Sequence, residues 1–275
     1  MKAHPSFFRR LLLACVCLAL AAVSVPGVTA LAQEAPLPGE QLGIKSISDY
    51  IAQWRLLYNP YRDAVNTYNK ADPDMVLTPL DNAEIPFILA DLYDALPGGQ
   101  EADGRYEGVL GPTDMQGHLE RAGSILSFGR ESVRTWDGLS IAAMKGDLEL
   151  EEGSLDLRAG HMVVRQAIRR GEADIERDYY EYKLLESGGM HLIAIWGDLY
   201  NAQGMEVNRT VGVYMHLTEA GLAFFTAQAN AGTAFTPVLL GEGEWTLEEA
   251  AKAFEAAGFA IQISGGVKDG AVEIR

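Results

Sequence analysis

Alternation of apolar and polar residues dominates the second half of the chain, and it restricts the possible folds more than any other feature of the sequence. The clearest example is segment 205–217. One face of this extended segment carries Met205, Val207, Val211, Val213, Met215 and Leu217, and the other carries Glu206, Asn208, Thr210, Tyr214 and His216. Because successive side chains of a strand point to opposite faces, the pattern predicts a strand with one packed face and one face that is wet or lines a pocket.

Similar alternation recurs over much of 148–228, separated by short turn sequences. Segment 161–187 divides at Gly171, segment 188–217 divides at 201–204, and another apolar run follows directly after these strands. Short connections join antiparallel neighbours, because a parallel pair needs a long crossover. The sequence therefore predicts an antiparallel meander of about five to seven strands.

Helical periodicity occupies the chain before the strands. Over 46–70 the apolar residues recur every three or four positions, behind Ser46 or Ser48 as an N-cap. This stripe consists of Ile47, Tyr50, Ile51, Trp54, Leu57, Tyr58, Tyr61, Val65 and Tyr68. Its aromatic content fits either a stacking platform for a partner or a helix that packs its tyrosines on the core, and core packing is favoured. The pair Asn59-Pro60 predicts a kink or a division of the helix.

Two more helices are expected before the strands begin. Asp81 and Glu84 form a capping-box pattern at the start of a second helix over 81–96. A third helix is predicted from about Thr113 to Phe128, after a long loop.

The C-terminal part carries the best-marked helix. Thr246 and Glu249 form another capping box, Gly258 ends the helix, and 259–263 follows as a final strand. The predicted fold class is therefore α+β, with N-terminal helices packed on a curved antiparallel β-meander, a late C-terminal helix and a final strand.

The predicted organisation has four parts. Residues 1–32 form a cleaved signal peptide, and 33–45 form a flexible lead that is rich in proline and glycine. A helical hairpin then covers 46–97. An α+β domain with the antiparallel sheet covers 112–275.

The N-terminus has the order of a bacterial secretory signal peptide. A positively charged segment ending at Arg10 precedes an uncharged apolar run, 11–25, and small-residue cleavage patterns end at Ala30 and Ala32. This run is shorter than the roughly 20 apolar residues that a membrane-spanning helix needs. The order therefore predicts cleavage and a periplasmic protein.

Composition narrows the classes of partner. Both cysteines, Cys15 and Cys17, lie in the predicted signal, so the mature chain would have no disulfide and no cysteine nucleophile. The net charge is −16, and removal of the three cations of the signal changes it to −19. Such a charge repels nucleic acid and anionic lipid head groups. The expected partner is an envelope protein or a small molecule, with no nucleic acid and no membrane insertion after signal cleavage.

Sequence motifs of known catalytic centres are absent. The chain contains no G-x-S-x-G, no S-x-x-K, no H-E-x-x-H, and no complete dinucleotide or phosphate loop. Neither a cofactor nor a metal ion is therefore predicted.

The predicted hairpin that contains the clearest strand brings polar side chains together. A turn centred at 202–203 places His191 opposite Tyr214, with His216 one diagonal step away. Glu206 continues the row. These groups could bind a metal or act as acid and base near neutral pH, and the favoured alternative is that the histidines only fill a half-buried sheet face. As a site, they are expected in a concavity beneath the first helices.

A second hairpin brings several arginines together. Arg165, Arg169 and Arg170 could form a cationic spot in this acidic chain. They could also pair with the three acids at 172–176 across their hairpin, and this second interpretation is favoured.

Two functions from different classes fit the sequence. The first is a soluble exported, periplasmic binding or accessory protein without catalytic activity. The alternative is a periplasmic enzyme of hydrolase or isomerase type, with His191, Tyr214, His216 and Glu206 in a pocket on the concave sheet face.

The signal-peptide interpretation makes a direct prediction. Because small-residue patterns end at Ala30 and Ala32, the mature protein should begin at Leu31 or Gln33 and carry no lipid. Intact-mass measurement of periplasmic material tests this. A diacylglycerol adduct on Cys15 would show instead that the chain is processed as a lipoprotein.

Overall fold

We describe the protein from a computed structural model over residues 35–72, 77–81, 103–110, 115–135, 144–200, 206–229, 235–241 and 243–275. The chain divides into two compact units, Met1–Pro36 and Leu37–Arg275, and the second is described below. The signal peptide and residues 82–96 of the second predicted helix lie outside the described residues, so both stay predictions.

Four helices and eleven strands make up the described part of the chain. The helices are α1 (Pro38–Gln41), α2 (Ile47–Ala71), α3 (Thr78–Asp81) and α4 (Leu247–Ala256). The strands are β1 (Gly104–Leu110), β2 (Met115–Ala122), β3 (Ile125–Val133), β4 (Leu148–Asp156), β5 (His161–Arg170), β6 (Ala173–Leu184), β7 (Met190–Tyr200), β8 (Glu206–Thr218), β9 (Gly221–Ala229), β10 (Phe259–Lys268) and β11 (Ala271–Ile274).

All eleven strands form a single antiparallel sheet in sequence order. Each strand pairs with the strand before it and the strand after it, and β1 and β11 are the two edges, so the sheet is open. The predicted antiparallel meander is confirmed. The predicted number of five to seven strands is wrong.

The missed strands lie where a loop and a third helix were predicted. The described part of the third predicted helix, from Met115 to Phe128, is not helical, because β2 and the start of β3 form a hairpin that turns at Gly123. The backbone of Gly123 has φ 62°, a left-handed value that favours glycine in a tight turn. Leu119, Leu126 and Phe128 are all buried by this hairpin. Their spacing fits a short helical stripe as well as two strands, and for this reason the periodicity led to the wrong prediction of a helix.

Helix α2 carries the predicted aromatic stripe and packs it on the core. Ser46 caps the helix by accepting a hydrogen bond from the backbone N–H of Asp49 at 3.0 Å. All members of the stripe are buried except Tyr68, which is partly buried. The hydroxyl groups of Tyr50 and Tyr61 donate to the carbonyl oxygens of Tyr182 (3.4 Å) and Thr218 (2.5 Å). The stripe is therefore part of the core and not an open platform.

Pro60 does not divide α2, which runs as one helix from Ile47 to Ala71. A proline inside a helix leaves the carbonyl four residues earlier without its usual partner. Here that residue is Leu56, which is 63% exposed, and Pro60 is exposed beside it. The helix continues because the missing hydrogen bond faces water.

The two faces of the sheet pack against different helices. The face that we call the α2 face contributes Tyr182, Leu192, Val213 and Phe224 to the cluster around α2. The opposite face, the α4 face, contributes Tyr179, Ile193, Ile195, Tyr214 and Phe225 to a second cluster with Phe254 of α4. Helix α4 begins at the predicted capping box of Thr246 and Glu249 and ends before Gly258.

One short helix differs from expectation. The lead over 33–45 was expected to be irregular, but Pro38–Gln41 forms one helical turn with Pro38 at its start. Proline suits this position, because the first N–H groups of a helix have no intrahelical partner. The side chain of Glu40 accepts from the backbone N–H of Leu37 at 3.0 Å and from Arg158 at 2.7 Å, which fixes the turn against the β4–β5 connection.

Gly153 in the middle of β4 gives a test of this packing. A β-carbon at this position would lie 2.6 Å from both the ring of Phe128 and the carbonyl oxygen of Val163. Gly153→Ala should therefore destabilise the fold by roughly 1–3 kcal/mol, since the ring and the strand must move apart. Chemical denaturation measures the change. Ser154→Ala, at an exposed position of the same strand, should change the free energy of unfolding by less than about 0.5 kcal/mol.

Candidate functional site

The hairpin β7–β8 brings the predicted histidines together in a different register. His191 pairs directly with His216, and Tyr214 pairs with Ile193. The predicted pairing of His191 with Tyr214 is therefore wrong by two residues. A register irregularity between Asp198 and Tyr200 accounts for part of the shift. Because the shift is an even number of residues, the predicted side chains still share one face.

This face is the α4 face, so the expected place beneath the first helices is wrong. The ring of His191 lies 4.7 Å from that of His216 and 5.6 Å from that of Tyr214, and both contacts are edge-on. The hydroxyl group of Tyr214 donates to the carbonyl oxygen of Trp245 at 3.2 Å. The histidines are thus packed beneath the segment that leads into α4, and α2 lies on the opposite face.

Both histidines are held in their neutral form. Burial lowers the pKa of His191 to about 4, and the neighbouring His216 and Lys183 act in the same direction against Glu244. Burial also lowers the pKa of His216. The Nε2 atoms of both rings are buried without a hydrogen-bond partner. Within the described residues no group of three metal-ligating side chains converges on them or elsewhere.

The fourth predicted residue does not join this pair. Glu206 begins β8, ten residues before His216, a distance of about 33 Å along an extended strand. In addition, none of the three cavities that we describe is lined by His191, Tyr214 or His216. The described geometry thus resembles a packed sheet face more than a reaction centre.

A buried carboxylate next to the histidine pair was missed by the sequence analysis. Glu181 on β6 lies 2.7 Å from Nε2 of His161, and it accepts from the hydroxyl group of Tyr179 and the backbone N–H of Leu240, both at 2.8 Å. These contacts hold the segment before α4 against the sheet. The alternation of Tyr179, Glu181 and Lys183 along β6 was the available signal, since it places the three side chains on one face.

A cavity of about 600 Å³ lies on the α4 face beside Tyr179, and we call it the β2–β6 groove. Two cross-strand rows form its floor. The first row is His118, Gly129, Glu152, Arg165 and Tyr179, and the second is Gln116, Glu131, Leu150, Ala167 and Arg177. Phe235 and Pro237 add an apolar wall. Four steps between strands of about 4.8 Å give the floor a length of roughly 19 Å.

The arginines of the groove have different partners. Arg169 and Arg177 both contact Asp174, at 2.6 and 2.7 Å, so the predicted pairing of Arg169 within its hairpin is confirmed. Arg170 contacts Asp147 at 2.8 Å and not the acids at 172–176, which corrects the prediction for that residue.

Arg165 differs from these arginines. Its guanidinium lies over the ring of Tyr179, 5.9 Å from the ring centre. Within the described residues no carboxylate lies within 4 Å of it, although Glu152 is directly opposite on β4. The groove therefore contains an arginine whose N–H groups are available to a ligand.

Comparison with known proteins gives no precedent for this arrangement. We compared the chain with protein-family models, with curated proteins and with solved structures, and none of the three comparisons found a match. Among the described helices, none is long and apolar enough to cross a membrane. The evidence for the function therefore comes from the groove and its side chains.

The burial of His191 predicts a specific pH dependence of stability. Its pKa is about 4 in the folded protein and near 6.5 when unfolded, so stability is retained above pH 6.5 and falls as the pH drops towards 4. The loss attributable to His191 should be on the order of 2 kcal/mol. Denaturant titrations between pH 4 and 8 should show a weaker acid-side slope for His191→Gln than for wild type.

The same titrations contain their own control. Between pH 7 and 8 the histidine is neutral in both states, so the two proteins should differ there by a constant amount that reflects packing. Equal slopes below pH 6.5 would contradict the assignment of a buried neutral histidine.

Proposed function

We propose that the protein is an exported, periplasmic binding protein without catalytic activity, and that its ligand occupies the β2–β6 groove. The observation that carries the proposal is Arg165, an arginine with no carboxylate partner within the described residues. We further propose that the ligand places a carboxylate or phosphate group against this side chain.

The position of Arg165 suits recognition of an anion. Its contact with Tyr179 restricts the guanidinium plane, so less conformational freedom is lost when a ligand binds. A guanidinium can donate two parallel hydrogen bonds to a carboxylate or phosphate group. In a chain with a net charge of −16, an arginine without an acidic partner in its own groove is unusual enough to support a ligand-binding role.

The other residues that line the groove indicate the shape of the ligand. The floor has little side-chain bulk at Gly129 and Ala167, so a ligand can approach the sheet closely. Phe235 offers a ring surface at one end, and Gln116 and His118 offer hydrogen-bonding groups at the other. A polar, elongated small molecule with an apolar or ring-shaped portion and one anionic group fits this lining best.

Export and charge support the same class of ligand. The predicted signal peptide supports a periplasmic location, and the acidic surface opposes binding of polyanions such as nucleic acid. A small anion can still bind beside a single cation that has no acidic partner among the described residues, as at Arg165. The predicted signal peptide also fits an accessory role beside an envelope protein. In that role the groove binds the ligand on which the interaction depends.

The alternative of a hydrolase or isomerase has less support. It required His191, Tyr214, His216 and Glu206 in one pocket, but the first three do not line the groove and Glu206 begins the far end of β8. We therefore retain the binding function as the conclusion.

Native mass spectrometry of the mature protein, gently purified from its own cell envelope, tests the proposal. The wild type should retain an anionic small molecule, and Arg165→Gln should lower its occupancy at least about tenfold, since loss of a charge-assisted pair costs roughly 1.5–3 kcal/mol. Arg62→Gln is the matched control, because it removes the same charge from the exposed face of α2 and should leave occupancy unchanged.

Two results would contradict the proposed function. One is a retained molecule whose occupancy is the same in Arg165→Gln and wild type. The other is a wild-type protein that retains no small molecule and whose melting temperature does not rise with any of a panel of aromatic carboxylates and sugar phosphates.

A further inference from the structure

A second cavity shares five lining residues with the β2–β6 groove, namely Leu150, Glu151, Gln166, Ala167 and Asp178. It measures about 180 Å³, and it lies on the α2 face beyond the end of the helix cluster. Its polar lining consists of Arg134, Glu149, Glu151, Gln166, Glu176 and Asp178. Neither the predicted site nor the proposed function involves this cavity.

Two of the four carboxylates around the cavity have cationic partners. Glu149 contacts Arg134 at 2.6 Å. Glu151 pairs with Arg130 and also accepts a hydrogen bond from Gln166 at 2.7 Å. These contacts leave the charges of Glu149 and Glu151 neutralised within the cavity wall.

Glu176 and Asp178 are different, since no cation contacts either of them in the described residues. They are two residues apart on β6, so their side chains lie next to each other on the α2 face. Asp178 is only 7% exposed. One oxygen of each carboxyl group, Oδ1 of Asp178 and Oε2 of Glu176, is buried without a donor.

The surroundings force these two groups to share a proton near neutral pH. Burial, and then the charge of Asp198, raises the pKa of Glu176 to about 7, and Glu149 adds to the rise against Arg134. Burial and the charge of Glu176 raise the pKa of Asp178 well above its ordinary range. Two adjacent buried carboxylates cannot both ionise without a cation between them.

Other charged or titratable groups near the pair do not supply that cation. Asp198 is held by Arg209 at 2.5 Å and is itself acidic. Tyr180 accepts from the indole N–H of Trp196 at 2.9 Å, and burial raises its pKa.

Arg134 lines the same cavity and its charge opposes the rise in the pKa of Glu176, but its Nε donates to Glu149 at 2.6 Å. Among the described residues no cation forms an ion pair with Glu176 or Asp178, so the shared proton is the positive charge in direct contact with the pair.

We infer that the cavity binds a primary ammonium group, which takes the place of the proton shared by Glu176 and Asp178. An ammonium group has three donors and no acceptor, and it would supply donors to the two buried oxygens that lack them. A divalent metal fits less well, because calcium needs six or more oxygen ligands and no three metal-ligating side chains converge within the described residues.

Exchange of a proton for an ammonium group makes binding depend on pH. Each ammonium that binds should release about one proton, and affinity should rise as the pair loses its proton. With the pKa of Glu176 at about 7, affinity should increase roughly tenfold between pH 6 and pH 8.

Titration of the full mature protein with propylammonium chloride at constant ionic strength tests this inference. Carboxyl-detected NMR follows Glu176 and Asp178 directly, and calorimetry in two buffers of different ionisation enthalpy measures the released proton. Tetramethylammonium carries the same charge without N–H donors, so it should bind at least tenfold more weakly. Calcium chloride serves as the divalent probe.

Variants locate the binding to the pair. Asp178→Asn and Glu176→Gln should each abolish the saturable response to propylammonium, and their thermal melts report whether they are folded. Glu273→Gln, an exposed carboxylate on the edge strand β11, should bind as wild type does.

The inference is overturned by any of three outcomes. These are equal affinity for propylammonium and tetramethylammonium, a response that survives in folded Asp178→Asn and Glu176→Gln, and tighter binding of calcium than of propylammonium at these carboxyl groups. Asp178 lines both the cavity and the groove, whereas Glu176 lines the cavity alone, so the result with Glu176→Gln separates this inference from the ligand of Arg165.

Discussion

The packing of α2 on one face of the sheet is the interaction on which the remaining arrangement depends. Its buried stripe, with Tyr50 and Tyr61 bonded to backbone carbonyls of β6 and β8, occupies the middle of the α2 face. With α4 on the other face, β7 is buried on both sides, and Leu192 to Ile195 are accordingly all apolar and fully buried. A strand covered on both faces reads as a continuous apolar run and fixes the centre of the sheet.

This arrangement decides where polar side chains can gather. Helix α4 and the segment before it cover the α4 face over β6 to β9, and the β2–β6 groove lies beyond that cover. On the α2 face, the polar cavity at Glu176 and Asp178 likewise lies beyond the apolar cluster around α2. Both cavities thus lie along β4 to β6, in parts of the sheet that the described helices leave uncovered.

The elements that were predicted correctly are those marked by residues a few positions apart in the sequence. The stripe of α2 follows from spacings of three and four, and the start of α4 follows from Thr246 and Glu249, because a cap and a stripe depend on residues within a few positions. The assignment of side chains to the two faces of β8 follows from the alternation of apolar and polar residues along the strand. The order of β4 to β9 follows from the short connections between most of these strands, whereas β2 and β3 were missed because Leu119 and Phe128 fit two periodicities, and β1 was taken for a loop.

The groove could not be predicted in the same way. Its floor combines side chains from five strands, and every one of four hairpin registers must be known before His118 and Tyr179 are placed in one row. Arg165 shows the limit most clearly. Its opposite neighbour Glu152 suggests an ion pair, but the guanidinium lies over Tyr179 instead, a choice that depends on side-chain geometry and not on order along the chain.

The strictly consecutive order of the strands also affects how the chain acquires its structure. Each neighbouring pair can form as soon as its two strands exist, because pairing joins strands that are consecutive along the chain. Helix α2 is the exception, since its hydrogen bonds to Tyr182 and Thr218 span 132 and 157 residues. Helix α2 leaves the ribosome before the described strands, so its aromatic stripe stays exposed until β8 has been made. In this interval the unfinished chain is most open to aggregation or to capture by a chaperone.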